Sequence, residues 1–184
     1  AGPETIFLSI AAGKTVAYFE DKLGPEAAIV RAMPNTPAAV GRGITVAIAN
    51  QRVGEAQKNR CNSLLEAVGE VAWIDDEGPM DAVTAVSGSG PAYVFLLAEC
   101  LAQAGEEAGL SAALSHQLAR ATVSGAGEFL YRASEPAATL RANVTSPGGT
   151  TAAALEILMD GKGLQPLLTK AVAEATKRSR ELAG

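Results

Sequence analysis

The sequence predicts an α/β layer with a partial parallel sheet, followed by an all-helical domain. Three observations carry this reading. Up to about residue 77, short apolar runs alternate with stretches of helical spacing, the pattern of strands joined by crossover helices. From Pro79 onward the strand signal stops and long helical stretches take over. In those stretches Ala and Gly recur at close spacing, as at Ala98, Ala102 and Gly105, which suits tight helix crossings. The expected domains are therefore residues 1–77 and 78–184.

Taken in order, Thr5 to Ile10 reads as a strand and Thr15 to Leu23 as a helix stopped by Gly24. Ala28 to Met33 is a second strand ended by Pro34, and Ile44 to Ala49 a third. Val53 to Val68 reads as a helix and Glu70 to Ile74 as a fourth strand, with Trp73 in the core. A proline is well placed at the start of a helix, so Pro91 marks one reaching about Ala108. Ser111 caps a helix to about Arg132, and shorter ones are expected over Pro136 to Ala142 and Thr150 to Met159. Leu164 to Leu182 is the last. The helices from Pro91 onward carry more apolar surface than five helices bury alone, which marks an interface.

Composition narrows the function classes. Apolar residues make up 48% and charged residues 19% of the 184, the balance of a globular chain. The net charge is -5 and no Lys/Arg run stands out, against a nucleic-acid surface. A single His, His116, and two cysteines, Cys61 and Cys100, leave little for a metal site or a Cys-His pair. Both cysteines read as buried small hydrophobes in a reducing compartment. No apolar run approaches the ~20 residues of a membrane span. AGPETIFLSI has no basic-then-apolar leader and no initiating Met, so the chain is expected to be cytoplasmic and truncated at its N-terminus.

Four stretches offer groups for chemistry. Ser9 to Gly13, SIAAG, lets a flat ligand lie against a strand end, but taken alone is better explained as a tight strand-to-helix turn. In Arg31 to Gly43 two prolines bracket Asn35 and Thr36 and hold them on a rigid loop; a turn with an Asx hydrogen bond is the alternative. Val86 to Tyr93, VSGSGPAY, reads first as close helix packing, with Ser87 and Ser89 as secondary binding candidates. Asn143 to Glu156 holds Ser146, Gly148, Gly149, Thr150 and Thr151 before an Ala-rich helix. Two glycines and three hydroxyls exceed what a Thr cap requires, so this stretch reads as a carboxylate or phosphate cradle. The pairs Glu106/Glu107 and Asp75/Asp76 read as solvated surface, as does His116.

The order VRAMPNTPA, SGSGPAY, VTSPGGTTAAALE, preceded by SIAAG, resembles the pyrroline-5-carboxylate reductase family. The resemblance implies a Rossmann-like domain, lacking here its Gly-rich pyrophosphate turn, and a helical dimerisation domain. It implies hydride transfer from NADPH or NADH to 1-pyrroline-5-carboxylate, giving L-proline, in a homodimer or a decamer. By the same resemblance Ile10, Ala11, Ala12, Met33, Pro34, Asn35 and Asn143 bind the cofactor. Ser146, Pro147, Gly148, Gly149, Thr150 and Thr151 bind substrate, with Thr151 and Glu135 catalytic and no metal. Glu135 fills the place of the family's acid, although Pro136 follows it directly where the family has a residue between.

Two alternatives come from other classes. One is a related two-domain imine or hydroxyacid reductase; the hydroxyacid enzymes use a helical-domain lysine, whereas Lys162, Lys170 and Lys177 lie beyond these loops. The other is a catalytically silent helical dimerisation module. Cofactor titration separates them.

Overall fold

The structure, a computed structural model, describes residue 2 and residues 4–183. The chain divides into two compact units, one running to Pro91 and resuming at Ala171, the other Ala92–Lys170.

The first unit is built on a four-stranded sheet in the order β1 (Ile6–Ser9), β2 (Ala28–Met33), β3 (Gly43–Ala49), β4 (Gly69–Trp73). β1 and β2 are parallel, with Ser9 paired to Arg31. β3 and β4 are parallel as well. β2 and β3 are antiparallel, with Met33 paired to Val46. The sheet is thus mixed: the parallel pairing expected from the alternation holds for β1–β2 and β3–β4, and is corrected at β2–β3. Connection length explains it. A parallel return needs a crossover of about a dozen residues or more, usually through a helix. Helices α1 (Val16–Leu23) and α2 (Glu55–Glu66) provide such crossovers for β1–β2 and β3–β4. Between Met33 and Gly43 there is room only for a 3-10 turn, Thr36–Val40.

Both faces of the sheet are covered, which is why β2 reads as an apolar run broken only by Arg31. Val30, Ala32, Ala47, Cys61 and Leu65 form the core on one face, with Trp73 against it. Val46, Ile48 and Met80 form the other, with Val16 and Met33 against it. Asn50 ties the layer together. Its Oδ1 accepts the Ile29 N–H, and its Nδ2 donates to the Ala27 carbonyl and to Glu20 Oε1. Gly69 has φ 146°, and a Cβ there would fall 2.0 Å from the Gly43 carbonyl oxygen, so β3 and β4 can start side by side only on glycine.

After β4 the chain enters α3 (Met80–Val83), passes through a π turn (Thr84–Gly88) and continues as α4 (Gly90–Glu107). Ser89 N–H donates to the Thr84 carbonyl at 2.8 Å, closing the wider ring. The helix expected to begin at Pro91 therefore begins earlier, because the widened turn lies just before a residue with no N–H to give. The joined helix, Met80–Glu107, is long and apolar enough by length and composition to cross a membrane. The expectation that no run is so long does not hold for it.

The second unit contains α5 (Ala112–Arg132), α6 (Ala137–Asn143) and α7 (Thr150–Leu158), with most of α4; α8 (Leu164–Ala183) follows. Ser111 caps α5 as expected, its hydroxyl accepting the Leu114 N–H. Among the described residues of this unit only Ala102, Ser115 and Ala119 are buried. Gly105 allows that closeness, since a Cβ there would lie 2.9 Å from Ser115 Oγ. Phe95, Leu96, Phe129 and Ile157 stand exposed. The two cysteines differ. Cys61 is buried, and burial pushes its thiol pKa up. Cys100 is exposed on α4, contrary to expectation, because the helical unit buries so little of its own surface.

Candidate active site

β1 and β2 are parallel neighbours, so the segments that leave their C-terminal ends emerge from one edge of the sheet. Those segments hold Ile10, Ala11 and Ala12 after β1, and Pro34 and Asn35 after Met33, the last residue of β2. Six of the seven expected cofactor residues are thus brought to one edge, where open α/β sheets bind ligands. Ile10, Ala11 and Ala12 are exposed, and the Ser9 hydroxyl accepts the Ala11 N–H at 3.2 Å, turning the chain sharply.

The loop after β2 is held rigid from within. Asn35 Oδ1 accepts the Ile44 N–H at 3.0 Å and its carbonyl accepts the Ala38 N–H. Gly41 takes a left-handed φ of 68°, and a Cβ on Gly43 would lie 2.9 Å from Ala38 Cα. The Asn35 side chain is therefore spent on bracing the loop against β3. It does not make the local Asx bond weighed from the sequence, and it keeps only its amide N–H2 for a ligand.

Met33 packs on the π turn. A Cβ on Gly88 would lie 2.7 Å from Met33 Cε, so the glycine leaves the seat that the methionine tip occupies. Ser87 donates its hydroxyl back to the Val83 carbonyl at 3.0 Å and Thr84 to Met80. The SGSG stretch thus packs the helix backbone closely.

In the helical unit, the α6–α7 connection is a tight turn. Gly149 N–H donates to the Ser146 carbonyl at 3.0 Å, Pro147 takes the second place and Gly148 the third with φ 68°, the signature of a type II turn. Gly149 is the N-cap of α7, with no side-chain capping bond. Turn geometry thus explains both glycines, and the Thr cap weighed from the sequence is not formed. What remains unspent is the Thr150 and Thr151 hydroxyls, which have no hydrogen bond among the described residues, and the first-turn N–H groups of the helix. Such an end favours an anion. Asn143 is the last residue of α6 and is exposed. Glu135 is exposed between α5 and α6, accepting the Ser134 hydroxyl at 3.5 Å. No hydrogen bond or ion pair joins Glu135 to the α6–α7 turn among the described residues.

One group escaped the sequence reading. Arg31 in β2 is buried and forms an ion pair with Glu77, whose Oε1 also accepts the Val16 N–H at 3.0 Å. The signal was present: a buried charge costs several kcal/mol unless paired, and Arg31 interrupts an otherwise apolar strand.

A dinucleotide can be tested against these groups. The β1 end offers exposed small and apolar residues and the β2 end half-buried ones, with no acid among them, and the Gly88 seat keeps the Met33 tip drawn down. That donor set fits the flat, uncharged nicotinamide. It does not fit the pyrophosphate, because neither strand end carries a Gly-rich turn of free N–H groups.

Comparison with known proteins gives the family. The family described as pyrroline-5-carboxylate reductase dimerisation matches residues 77–182. The chain belongs to the pyrroline-5-carboxylate reductase family. It is similar to the pyrroline-5-carboxylate reductase of Pseudomonas aeruginosa, 45% identical over 98% of this chain and 66% of that one. The Mycobacterium tuberculosis enzyme is 43% identical, again over 66% of its length. Among solved structures, the Coxiella burnetii reductase superposes with a TM-score of 0.93 at 41% identity, covering 98% of this chain and 67% of that one. The Plasmodium falciparum reductase, solved with NADP bound, superposes at 0.84 with 35% identity, covering 98% and 70%. This chain spans about two thirds of the length of its curated relatives.

Proposed function

We propose that the protein to which this sequence belongs reduces 1-pyrroline-5-carboxylate to L-proline with NADPH or NADH, in the cytoplasm. The observation that carries the reading is the SPGGTT turn, where two threonine hydroxyls and a helix start stand without partners among the described residues. Ser146 to Thr151 take the substrate: the first-turn N–H groups hold its carboxylate, and the Thr151 hydroxyl donates to the ring nitrogen. When bound, the nicotinamide supplies a hydride to the imine carbon. The C=N π electrons then pass to nitrogen, which holds a proton and leaves as the secondary amine. Thr151 is best placed to help as charge shifts onto that nitrogen, and Glu135 is the acid of the same site. Ile10, Ala11, Ala12, Met33, Pro34, Asn35 and Asn143 face the cofactor. Holding two reactants in line is worth ~7–11 kcal/mol on such a route.

The functional division falls at 77/78, supported by the start of the family match. The helical part forms a homodimer, and a decamer beyond it, which the bare apolar residues of α4 and α5 support. A dimer interface also accounts for the apolar length of Met80–Glu107. By itself this stretch of chain binds NAD(P)H poorly, for want of a pyrophosphate turn.

The test is Thr151→Ala in the whole protein. Turnover per folded enzyme is expected to fall ~10²–10⁴-fold, with substrate affinity changed less. A loss confined to melting temperature overturns the site.

A further inference from the structure

We infer that the Glu77 carboxylate is a positioning group for the dinucleotide loop between β1 and α1, acting through Arg31 and the Val16 N–H. The inference rests on the cofactor reading above.

The loop is held at both ends by one ion pair. At its start, Ser9 is paired in the sheet with Arg31. At its far end, Val16 is the first residue of α1 and gives its N–H to Glu77 Oε1 at 3.0 Å. The same Oε1 accepts from Arg31 Nη1. Residues 10–15 therefore leave the sheet beside Arg31 and return to the carboxylate that Arg31 holds. The second loop assigned to the cofactor starts two residues beyond Arg31, at Met33. One carboxylate thus sets the spacing of both strand ends.

The parts are fit for holding position. The Arg31 side chain is 6% exposed and that of Glu77 27%, so water competes little for the pair. The bond to Val16 places a negative charge at the open N-terminal turn of α1, where the helix dipole favours it. Thr15 already caps that helix through the Tyr18 N–H, so α1 does not depend on Glu77 for its cap. That redundancy separates positioning from stability, since the Val16 tether can be cut while the cap remains.

Val16→Pro makes that cut. Proline is tolerated at the first position of a helix, and Thr15 is extended, as a residue before proline requires. In the whole protein, Val16→Pro is expected to weaken NAD(P)H binding about tenfold by fluorescence titration, the scale of one charge-assisted hydrogen bond. KM for pyrroline-5-carboxylate should hold, melting temperature should fall only by the packing that Val16 loses against the Val46, Ile48 and Met80 core, and amide exchange over residues 10–15 should quicken without cofactor. Glu77→Gln, whose carbonyl oxygen still accepts both bonds, should fall between Val16→Pro and the parent. Unchanged NAD(P)H affinity in folded Val16→Pro overturns the inference, as does equal weakening of cofactor and substrate. If Val16→Pro does not fold, parental exchange over 10–15 in Glu77→Ala overturns it and quickened exchange there supports it. Failure of the parent protein to reduce pyrroline-5-carboxylate would overturn the functional reading, and the NAD(P)H titration would still decide the positioning role.

Discussion

The sheet unit and the helical unit use the same small apolar vocabulary in opposite ways. In the sheet unit Ile29, Val30 and Ala47 are fully buried, and two cores close the layer on both faces. In the helical unit burial is confined to Ala102, Ser115 and Ala119 among the described residues, while Phe95 is 62% and Ile157 75% exposed. One sequence region states its own core. The other states half of one, and a second copy is proposed to supply the rest. Stability should therefore be a property of the chain in the first unit and of concentration in the second.

The largest effect expected from that contrast is at Phe95. Phe95→Glu places an unpaired charge in the proposed interface, at about 3–5 kcal/mol, or about two to four orders of magnitude in dissociation constant. Sedimentation across a dilution series should show monomer where the parent is dimeric. A parent that is already monomeric at micromolar concentration would erase the distinction between the units.

Next in size is Ile29→Ala, in the middle of the buried sheet. It should cost ~2–5 kcal/mol, read through the fluorescence of Trp73, which lies in β4 and is the single tryptophan. The shift in melting should be the same at low and high protein concentration. A shift that grows on dilution would mean that the sheet, too, leans on a partner.

The smallest is Thr15→Ala, which removes the cap bond to Tyr18 N–H at about 1 kcal/mol. It sharpens the comparison by giving the sheet unit a local loss of known size, to be set against the same change at Ser111 in the helical unit. Thermal denaturation of both variants should place the Ser111→Ala loss, and not the Thr15→Ala loss, under the control of concentration.

How much of this could be read from sequence depended on how local the cause was. Ala28 to Met33 was bounded to the residue, because a strand buried on both faces is apolar apart from Arg31 and Pro34 stops it. The cap at Ser111 lies three residues from its partner and was legible, whereas Thr15, with the same spacing, was read as the first residue of its helix and is its cap. Strand direction was not, since apolar runs carry no arrow; the short Met33–Gly43 link held that information and went unused. The Arg31–Glu77 pair joins residues 46 apart, so only the oddity of a charge in an apolar run announced it. At the SPGGTT turn one cause was misread. Gly148 and Gly149 serve the turn and the cap, and the case for a ligand rests on the Thr150 and Thr151 hydroxyls and the open helix start.

The π turn at Thr84–Gly88 has a consequence for evolution by insertion and deletion. An α-helix advances about 100° per residue, so the surplus residue in that turn is an angular setting as much as a bulge. It fixes where Gly90 and Pro91 point relative to Met80, which is anchored in the sheet core. Removing one residue there would restore ordinary helical bonding and, by itself, favour the helix. It would also swing Gly90 and Pro91 by more than a quarter turn against the residues before the bulge. A lineage that took the deletion would keep a sound helix and lose its setting.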